Sequence, residues 1–224
     1  MTASCIITKR MYYSASSMDK DMTPQQLDSL VNYFLSLTKL GEKSEKPTIV
    51  AVTGFPGSGK TTVAKHVTEL LGGTHIQANS ARQILREAGL MWNTNVTAII
   101  GNVLEKLLSE KHIVVMDGHV LEEGEQKRLE GAANKHGAGL FFIAVDCKIQ
   151  IALDRDEERP LLPSTFDNWQ PSAPYPKEYM CEQARKLYEF VARRDNLYSI
   201  NNSGTEKTTR SQIADIVGRI KLRM

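Results

Sequence analysis

Eight consecutive residues, Gly54-Phe55-Pro56-Gly57-Ser58-Gly59-Lys60-Thr61, place glycines, a lysine and a hydroxyl at the spacing G-x-x-x-x-G-K-[ST]. Glycines let such a loop curl until successive backbone N–H groups point inward at phosphate oxygens. The lysine reaches the outer phosphates of a nucleoside triphosphate, and the hydroxyl is a hard oxygen ligand for Mg²⁺. Gly54, Gly57, Ser58, Gly59, Lys60, Thr61 and Thr62 are therefore the candidate ATP-binding set. A β-branched run, Thr48–Thr53, precedes the loop and a helical pattern, Val63–Val67, follows it, which is the context the motif requires. A chance match in a chain of this size is on the order of one in a hundred, before that context is demanded.

A second oxygen ligand comes from the apolar run His112–Asp117, which reads as a strand ending in a carboxylate. Thr61 and Asp117 form the candidate metal pair, with a strand-end turn or cap as the plainer use of Asp117. Gly118 stands where hydrolytic ATPases commonly place a water-polarising glutamate. The nearest approach to a guanine clamp, Asn134-Lys135-His136-Gly137, lacks the required aspartate. Donation of a phosphoryl group fits these residues better than hydrolysis or GTP switching. Donation requires that water be excluded and that cations meet the transferring group. Arg155 and Arg159 are four residues apart, a spacing that predicts one shared helix face. With Lys60 and Asp117 they make the candidate catalytic set. The same arginines could instead pair with Asp156, Glu157 or Glu158 as a solvated charge run.

These residues need elements to hold them. Short apolar runs predict strands at Ile49–Thr53, His75–Gln77, His112–Asp117, Leu140–Asp146 and Leu197–Ile200. Amphipathic periodicity predicts helices near Lys60–Leu71, Ser80–Ala88, Val96–Glu110, Glu123–His136, Ile149–Glu157, Lys177–Arg194 and Thr209–Lys221. Strands this apolar, alternating with helices, predict an α/β fold: a three-layer arrangement with a parallel sheet of about five strands and helices on both faces. Arg159–Pro176 breaks the rhythm with five prolines, and the span of about 155–176 reads as a lid insertion. Ahead of the sheet, Thr23-Pro24 predicts a helix start, Leu27, Leu30, Val31, Phe34 and Leu37 follow at helical spacing, and Gly41 is the expected stop. The expected organisation is a flexible leader over 1–22, a helix and linker over 23–46, and the phosphate-loop domain over 47–224. The leader carries serines, Lys9 and Arg10, faintly like an organelle transit peptide; a disordered leader is the preferred reading.

Bulk properties narrow the partners. The 224 residues are 41% hydrophobic and 24% charged, as in ordinary globular chains. A formal net charge of +2 gives no support to a nucleic-acid coat or a polybasic membrane anchor. No apolar run reaches the ~18 residues of a membrane span. Three widely spaced cysteines, Cys5, Cys147 and Cys181, suggest free, mostly buried thiols in a reducing, cytoplasmic setting. The sequence leaves the oligomeric state open.

The loop, the Asp-ended third strand and the arginine segment together resemble the nucleoside-monophosphate, shikimate and gluconate kinase group of P-loop kinases, over roughly Thr48 to Leu222. The resemblance implies transfer of the γ-phosphoryl group of Mg-ATP to a small acceptor. Arg159-Pro160-Leu161-Leu162 is similar to the R-P-L-L lid of shikimate kinases. Arg185-Lys186-Leu187-Tyr188 resembles their R-x-P-L-Y segment, one residue shorter, which would give Arg185 a carboxylate or leave it a plain surface residue. Asn79–Arg82 resembles the G-D-x-x-R segment of adenylate kinases, which would put Asn79 and Arg82 against an acceptor phosphate. Asp117-Gly118-His119 resembles the D-x-H of archaeal-type adenylate kinases, so His119 would orient the acceptor, or else serve as a strand-end polar residue. Asn201–Thr205 corresponds to a loop that borders the adenine in this group, or to an ordinary turn. Where shikimate kinases carry an aspartate after the second strand and a glycine triplet after the third, this chain has Gln77-Ala78-Asn79-Ser80 and Asp117-Gly118-His119. A nucleotide acceptor and a hydroxylated metabolite both remain open. So does a rival class, an ATP-dependent regulatory or assembly factor with slow ATPase activity, for which the N-terminal helix would be a docking element.

Overall fold

Five parallel strands, β1 (Thr48–Gly54), β2 (Thr74–Gln77), β3 (Ile113–Asp117), β4 (Gly139–Asp146) and β5 (Leu197–Asn201), form one sheet in the order β2-β3-β1-β4-β5. This is a computed structural model; it describes residues 22–90, 93–118, 120–159, 174–194 and 197–224. All seven residues of β1 are buried, as the central position demands. Side chains alternate across the sheet. Ile49, Ala51, Val114, Met116 and Phe142 face one helical layer, whereas Val50, Val52, Val115, Ile143 and Val145 face the other.

The second face is covered by α2 (Lys60–Leu71) and α8 (Glu206–Lys221), through Val63, Val67, Ile213, Ile216, Val217 and Ile220. The first face is covered by α3 (Ala78–Glu87), α4 (Asn93–Ser109) and α5 (Glu123–His136), with Ile84, Leu85, Ile99, Val103 and Leu129 buried. A third, smaller core lies under the phosphate loop, where Phe55 packs with Ala152 of α6 (Ile149–Glu157) and Met180, Ala184 and Leu187 of α7 (Lys177–Ala192). This is the three-layer α/β architecture expected of the sequence. Winding reverses at β1: β2 and β3 lie on one side of it, β4 and β5 on the other. Ligands of open α/β sheets bind at the carboxyl ends of strands at such a reversal.

Helix α1 (Pro24–Leu37) starts with a reciprocal capping box, in which the Thr23 hydroxyl accepts from the Gln26 N–H and the Gln26 side chain accepts from the Thr23 N–H. Its buried Val31 and Phe34 join the α3–α4 core. The helix stops at Leu37, four residues before the expected Gly41, because Thr38 turns extended and its hydroxyl takes the Phe34 carbonyl at 2.8 Å. Gly41 serves a different end. A Cβ there would lie 2.3 Å from the Gly72 carbonyl, so only glycine lets the linker pass the α2–β2 turn. The linker is also bonded to the domain by Glu42 N–H to Gly72 O (2.8 Å) and Ser44 N–H to Lys111 O (2.8 Å).

Two further boundaries differ from expectation. α3 begins at Ala78 with no side-chain cap, not near Ser80. α8 begins at Glu206, because the Thr205 hydroxyl accepts the Thr208 N–H. Among the described residues, no helix is long and apolar enough to cross a membrane. Cys147 is buried as expected, whereas Cys181 is exposed on α7; both are free thiols. The expected leader, apart from Met22, and residues 160–173 of the expected lid lie outside the described residues.

Candidate active site

The phosphate loop leaves β1 at the centre of the sheet. Gly57 and Gly59 adopt left-handed φ values of 75° and 90°, which side chains with a Cβ rarely take. Space forbids substitution as well: a Cβ on Gly57 would lie 2.3 Å from the Ala152 carbonyl oxygen of α6. Buried Phe55 anchors the other flank of the loop, and the Ser58 N–H turns back to its carbonyl at 3.2 Å. α2 starts at Lys60 with Gly59 as N-cap and no side-chain cap. The first N–H groups of a helix lack intrahelical partners, so Lys60, Thr61 and Thr62 present backbone donors at the positive end of the helix dipole. Gly54, Gly57, Ser58, Gly59, Lys60, Thr61 and Thr62 are thus brought together as one anion-binding turn.

Charges from three other parts of the chain act on the Lys60 ammonium. Burial pushes its pKa down from the ordinary lysine value; Asp117 pulls it back up, Arg159 and Arg82 push it further down, and Asp156 raises it. Asp117 is reached because β3 pairs with β1 in a register that sets Val52 opposite Asp117. Its carboxylate is buried, and Oδ1 has no hydrogen-bond partner among the described residues. An orphaned carboxylate oxygen beside the first turn of α2, where Thr61 supplies a hydroxyl, is a donor set of the hard-oxygen kind that suits Mg²⁺.

Arg82 projects from α3, where its Nη1 donates to Asn79 Oδ1. Burial lowers its pKa, while the phenols of Tyr175 and Tyr179 act to raise it. Those two rings stack with centroids 5.3 Å apart and planes at 21°. Arg159 pairs with Asp156, Nη2 to Oδ1 at 3.3 Å. Asp156 Oδ2 in turn accepts the Tyr175 N–H at 2.6 Å. The charges of Asp117, Arg82 and Arg159 thus all act on Lys60, and those of Tyr175 and Tyr179 on Arg82.

Arg155 points elsewhere. Its Nη2 donates to the Asn202 carbonyl at 3.0 Å and its Nη1 approaches the Gly57 carbonyl at 3.5 Å. It borders a cleft of about 300 Å³ lined also by Thr62, His66, Asn202, Thr209 and Arg210. This corrects the expectation of two arginines on one helix face: α6 ends at Glu157, so Arg159 lies beyond the helix while Arg155 lies within it. Nor do the two form a solvated charge run, since the Asp156 side chain is 1% exposed. Arg185 has an exposed setting, one of the two left open for it. It lies on α7, 58% exposed and paired with Glu182 and Glu189. His119 lies outside the described residues.

Asn202 lies in the Asn201–Thr205 loop that the resemblance set beside the adenine, though no motif singled it out within that loop. Its Nδ2 donates to the Ser58 carbonyl at 2.8 Å, and its Oδ1 accepts the Thr209 hydroxyl at 2.8 Å. Asp156, Tyr175 and Tyr179 carried no spacing signal, because a charge run and a proline-flanked tyrosine look alike whether buried or exposed.

Comparison with known proteins agrees with this architecture. The model of a family described as an AAA domain matches residues 49–166. An uncharacterised protein of Mycobacterium tuberculosis is 34% identical over 85 residues, a match covering 31% of this chain; the chain spans only 17% of that relative's length. Among solved structures, a gluconokinase from Sinorhizobium meliloti is similar at 16% identity and a TM-score of 0.52, covering 79% of this chain and 97% of its own. A structure from the PezAT toxin-antitoxin system of Streptococcus pneumoniae is similar at 16% identity and a TM-score of 0.57, covering 89% of this chain and 96% of its own. At these identities the likeness is one of fold.

Proposed function

The chain belongs to the AAA domain family, and from that premise we propose that it is an ATP-dependent phosphotransferase, a P-loop kinase acting on a small anionic acceptor. The observation that carries this reading is the phosphate loop, turned through the left-handed Gly57 and Gly59 beside the orphaned Asp117 carboxylate of the neighbouring strand, with the charges of Arg82 and Arg159 acting on Lys60. A loop that only holds a nucleotide needs the glycines and Lys60. Two further cations beyond the loop serve a phosphoryl group in transit and a second anion.

In this reading the backbone donors of Gly57–Thr62 hold the β- and γ-phosphates, and Arg155 and Asn202 border the base. Thr61 and Asp117 would hold Mg²⁺, which when bound neutralises charge on the phosphates. Lys60 and Arg159 stabilise negative charge on the γ-phosphoryl group as the bond to the leaving ADP oxygen breaks and the bond to the acceptor oxygen forms. Arg82 orients the acceptor through its anionic group, beside Asn79 at the start of α3. Catalysis is then positioning and charge neutralisation, with no covalent intermediate on the protein.

The acceptor is either a nucleoside monophosphate or a hydroxylated metabolite bearing a carboxylate or phosphate. The test is ADP release from Mg-ATP with and without a panel of nucleoside monophosphates, shikimate, gluconate and other small alcohols. The expected result is a compound that accelerates ADP release and is itself recovered phosphorylated. Slow hydrolysis indifferent to every acceptor would replace this reading with that of a regulatory ATPase.

A further inference from the structure

Asp156 and Asp117 are the buried acidic residues among the described ones, and Asp156 touches two stretches of chain, Arg159 just beyond α6 and Tyr175 just before α7. The side chain is 1% exposed. Its Oδ2 accepts the Tyr175 N–H at 2.6 Å across 19 residues of chain, and its Oδ1 lies 3.3 Å from Arg159 Nη2 as an ion pair without hydrogen-bond geometry. Exposed pairs such as Arg185 with Glu182 contribute little, because water screens them and flexible side chains lose entropy. A buried carboxylate is different. It persists only where its partners hold it, and it holds them in return.

We infer that Asp156 is a positioning residue: it fixes the Arg159 guanidinium beside Lys60 and, through the Tyr175 backbone, the tyrosine pair beside Arg82. One carboxylate thereby sets both the cation that meets the terminal phosphate and the wall of the acceptor side. The inference rests on the proposed kinase reading for where the γ-phosphate lies, though not on which acceptor is used.

Charge and position make opposite predictions here. Asp156 lies close enough to Lys60 to raise its pKa. As a mere bystander, its neutralisation would leave the phosphate loop more positive, so both nucleotides would bind more tightly, the more highly charged triphosphate most of all. As a positioning residue, its neutralisation releases Arg159 and weakens the triphosphate selectively.

The experiment is calorimetric titration of the full chain with a magnesium complex of a non-hydrolysable ATP analogue, and separately with Mg-ADP. Neither titration requires an acceptor or turnover, so failure to find an acceptor leaves this test intact. Asp156→Asn keeps the shape and an oxygen for the Tyr175 N–H. It is expected to weaken the triphosphate analogue about tenfold, the size of one charge-assisted contact, and to leave ADP within about twofold. Arg159→Gln is expected to do the same, and the double variant to be no worse than either single one, because the two residues act through one contact. A tightened or unchanged analogue affinity in Asp156→Asn, or losses that multiply in the double variant, overturns the inference. If Asp156→Asn also loses ADP, Asp156→Glu is read in its place. There the charge is kept and displaced, so a reduced triphosphate preference supports positioning and a wild-type preference refutes it.

Discussion

The side-chain amide of Asn202 donates to the Ser58 carbonyl at 2.8 Å, tying the loop after the last strand to the middle of the phosphate loop. The same side chain accepts from Thr209 on α8, and its own N–H reaches the Asp146 carbonyl at the end of β4 at 2.7 Å. Three elements thus meet on one residue. Asn202→Ala would leave the Ser58 carbonyl and the Thr209 hydroxyl without this partner, a cost of about 1–3 kcal/mol. We expect ADP to bind roughly tenfold more weakly, with Asn202→Asp worse still because it sets a negative charge against the Ser58 carbonyl of the phosphate loop. Calorimetry with Mg-ADP checks this, and wild-type affinity in Asn202→Ala would remove Asn202 from the site.

The glycine at position 57 answers to a different constraint. Its φ of 75° and a would-be Cβ 2.3 Å from the Ala152 carbonyl oxygen put backbone against backbone, which no rotamer change relieves. Gly57→Ala is therefore expected to push the loop away from α6, destabilising the fold by about 1–3 kcal/mol and abolishing measurable ADP binding. Thermal unfolding and nucleotide titration on the same sample check both halves. Retained binding at wild-type stability would mean that the loop has another packed arrangement.

How much of this was legible in the sequence depended on the range of the interaction. The glycines, Lys60 and Thr61 act through chain-local geometry, so their spacing announced them. Apolar runs revealed the strands most plainly where both faces are buried, as in β1 and β3; edge strand β5 buries Tyr198 and Ile200 but exposes Ser199 and Asn201. Strand order, by contrast, is set by which helices cover which face, and no local pattern encodes it. Arg155 and Arg159 read alike as neighbours in sequence, yet with α6 ending at Glu157 one reaches the Asn202 carbonyl and the other the Asp156 carboxylate. Arg185 matched a motif by spelling, but its helix turns it to solvent between Glu182 and Glu189.

Lys60 should leave a signature in the pH dependence of stability. Its folded pKa is depressed below the ordinary lysine value of 10.5, chiefly by burial. Between the two pKa values the unfolded chain binds more protons than the folded one, so stability rises with pH through that window. The destabilisation is present in full below the depressed folded pKa and is lost as pH rises to the unfolded value. Lys60→Met removes it. Tyr175, whose pKa burial raises, contributes with the opposite sign but is common to both proteins. The stability of wild type minus that of Lys60→Met, followed without nucleotide by chemical denaturation from pH 7 to 10.5, is expected to climb. A flat difference would show that Asp117 fully compensates the buried ammonium.

Arg82 and Arg185 offer the sharpest contrast, because both resembled anion-binding arginines and the fold separates them. Arg82 lies among buried groups beside Lys60 and the Tyr175–Tyr179 stack, whereas Arg185 is 58% exposed between two glutamates. A guanidinium that holds an acceptor anion in a partly dry site contributes about 1.5–3 kcal/mol, roughly ten- to a hundredfold in affinity. Arg82→Gln is accordingly expected to raise the acceptor KM by that factor while the KM for ATP stays within about twofold. Arg185→Gln is expected to change neither constant, and stability by no more than about 0.5 kcal/mol. Steady-state kinetics with the acceptor found by ADP release decides between them. The opposite outcome, an acceptor defect in Arg185→Gln alone, would move the acceptor from the α3 side of the sheet to the outer face of α7.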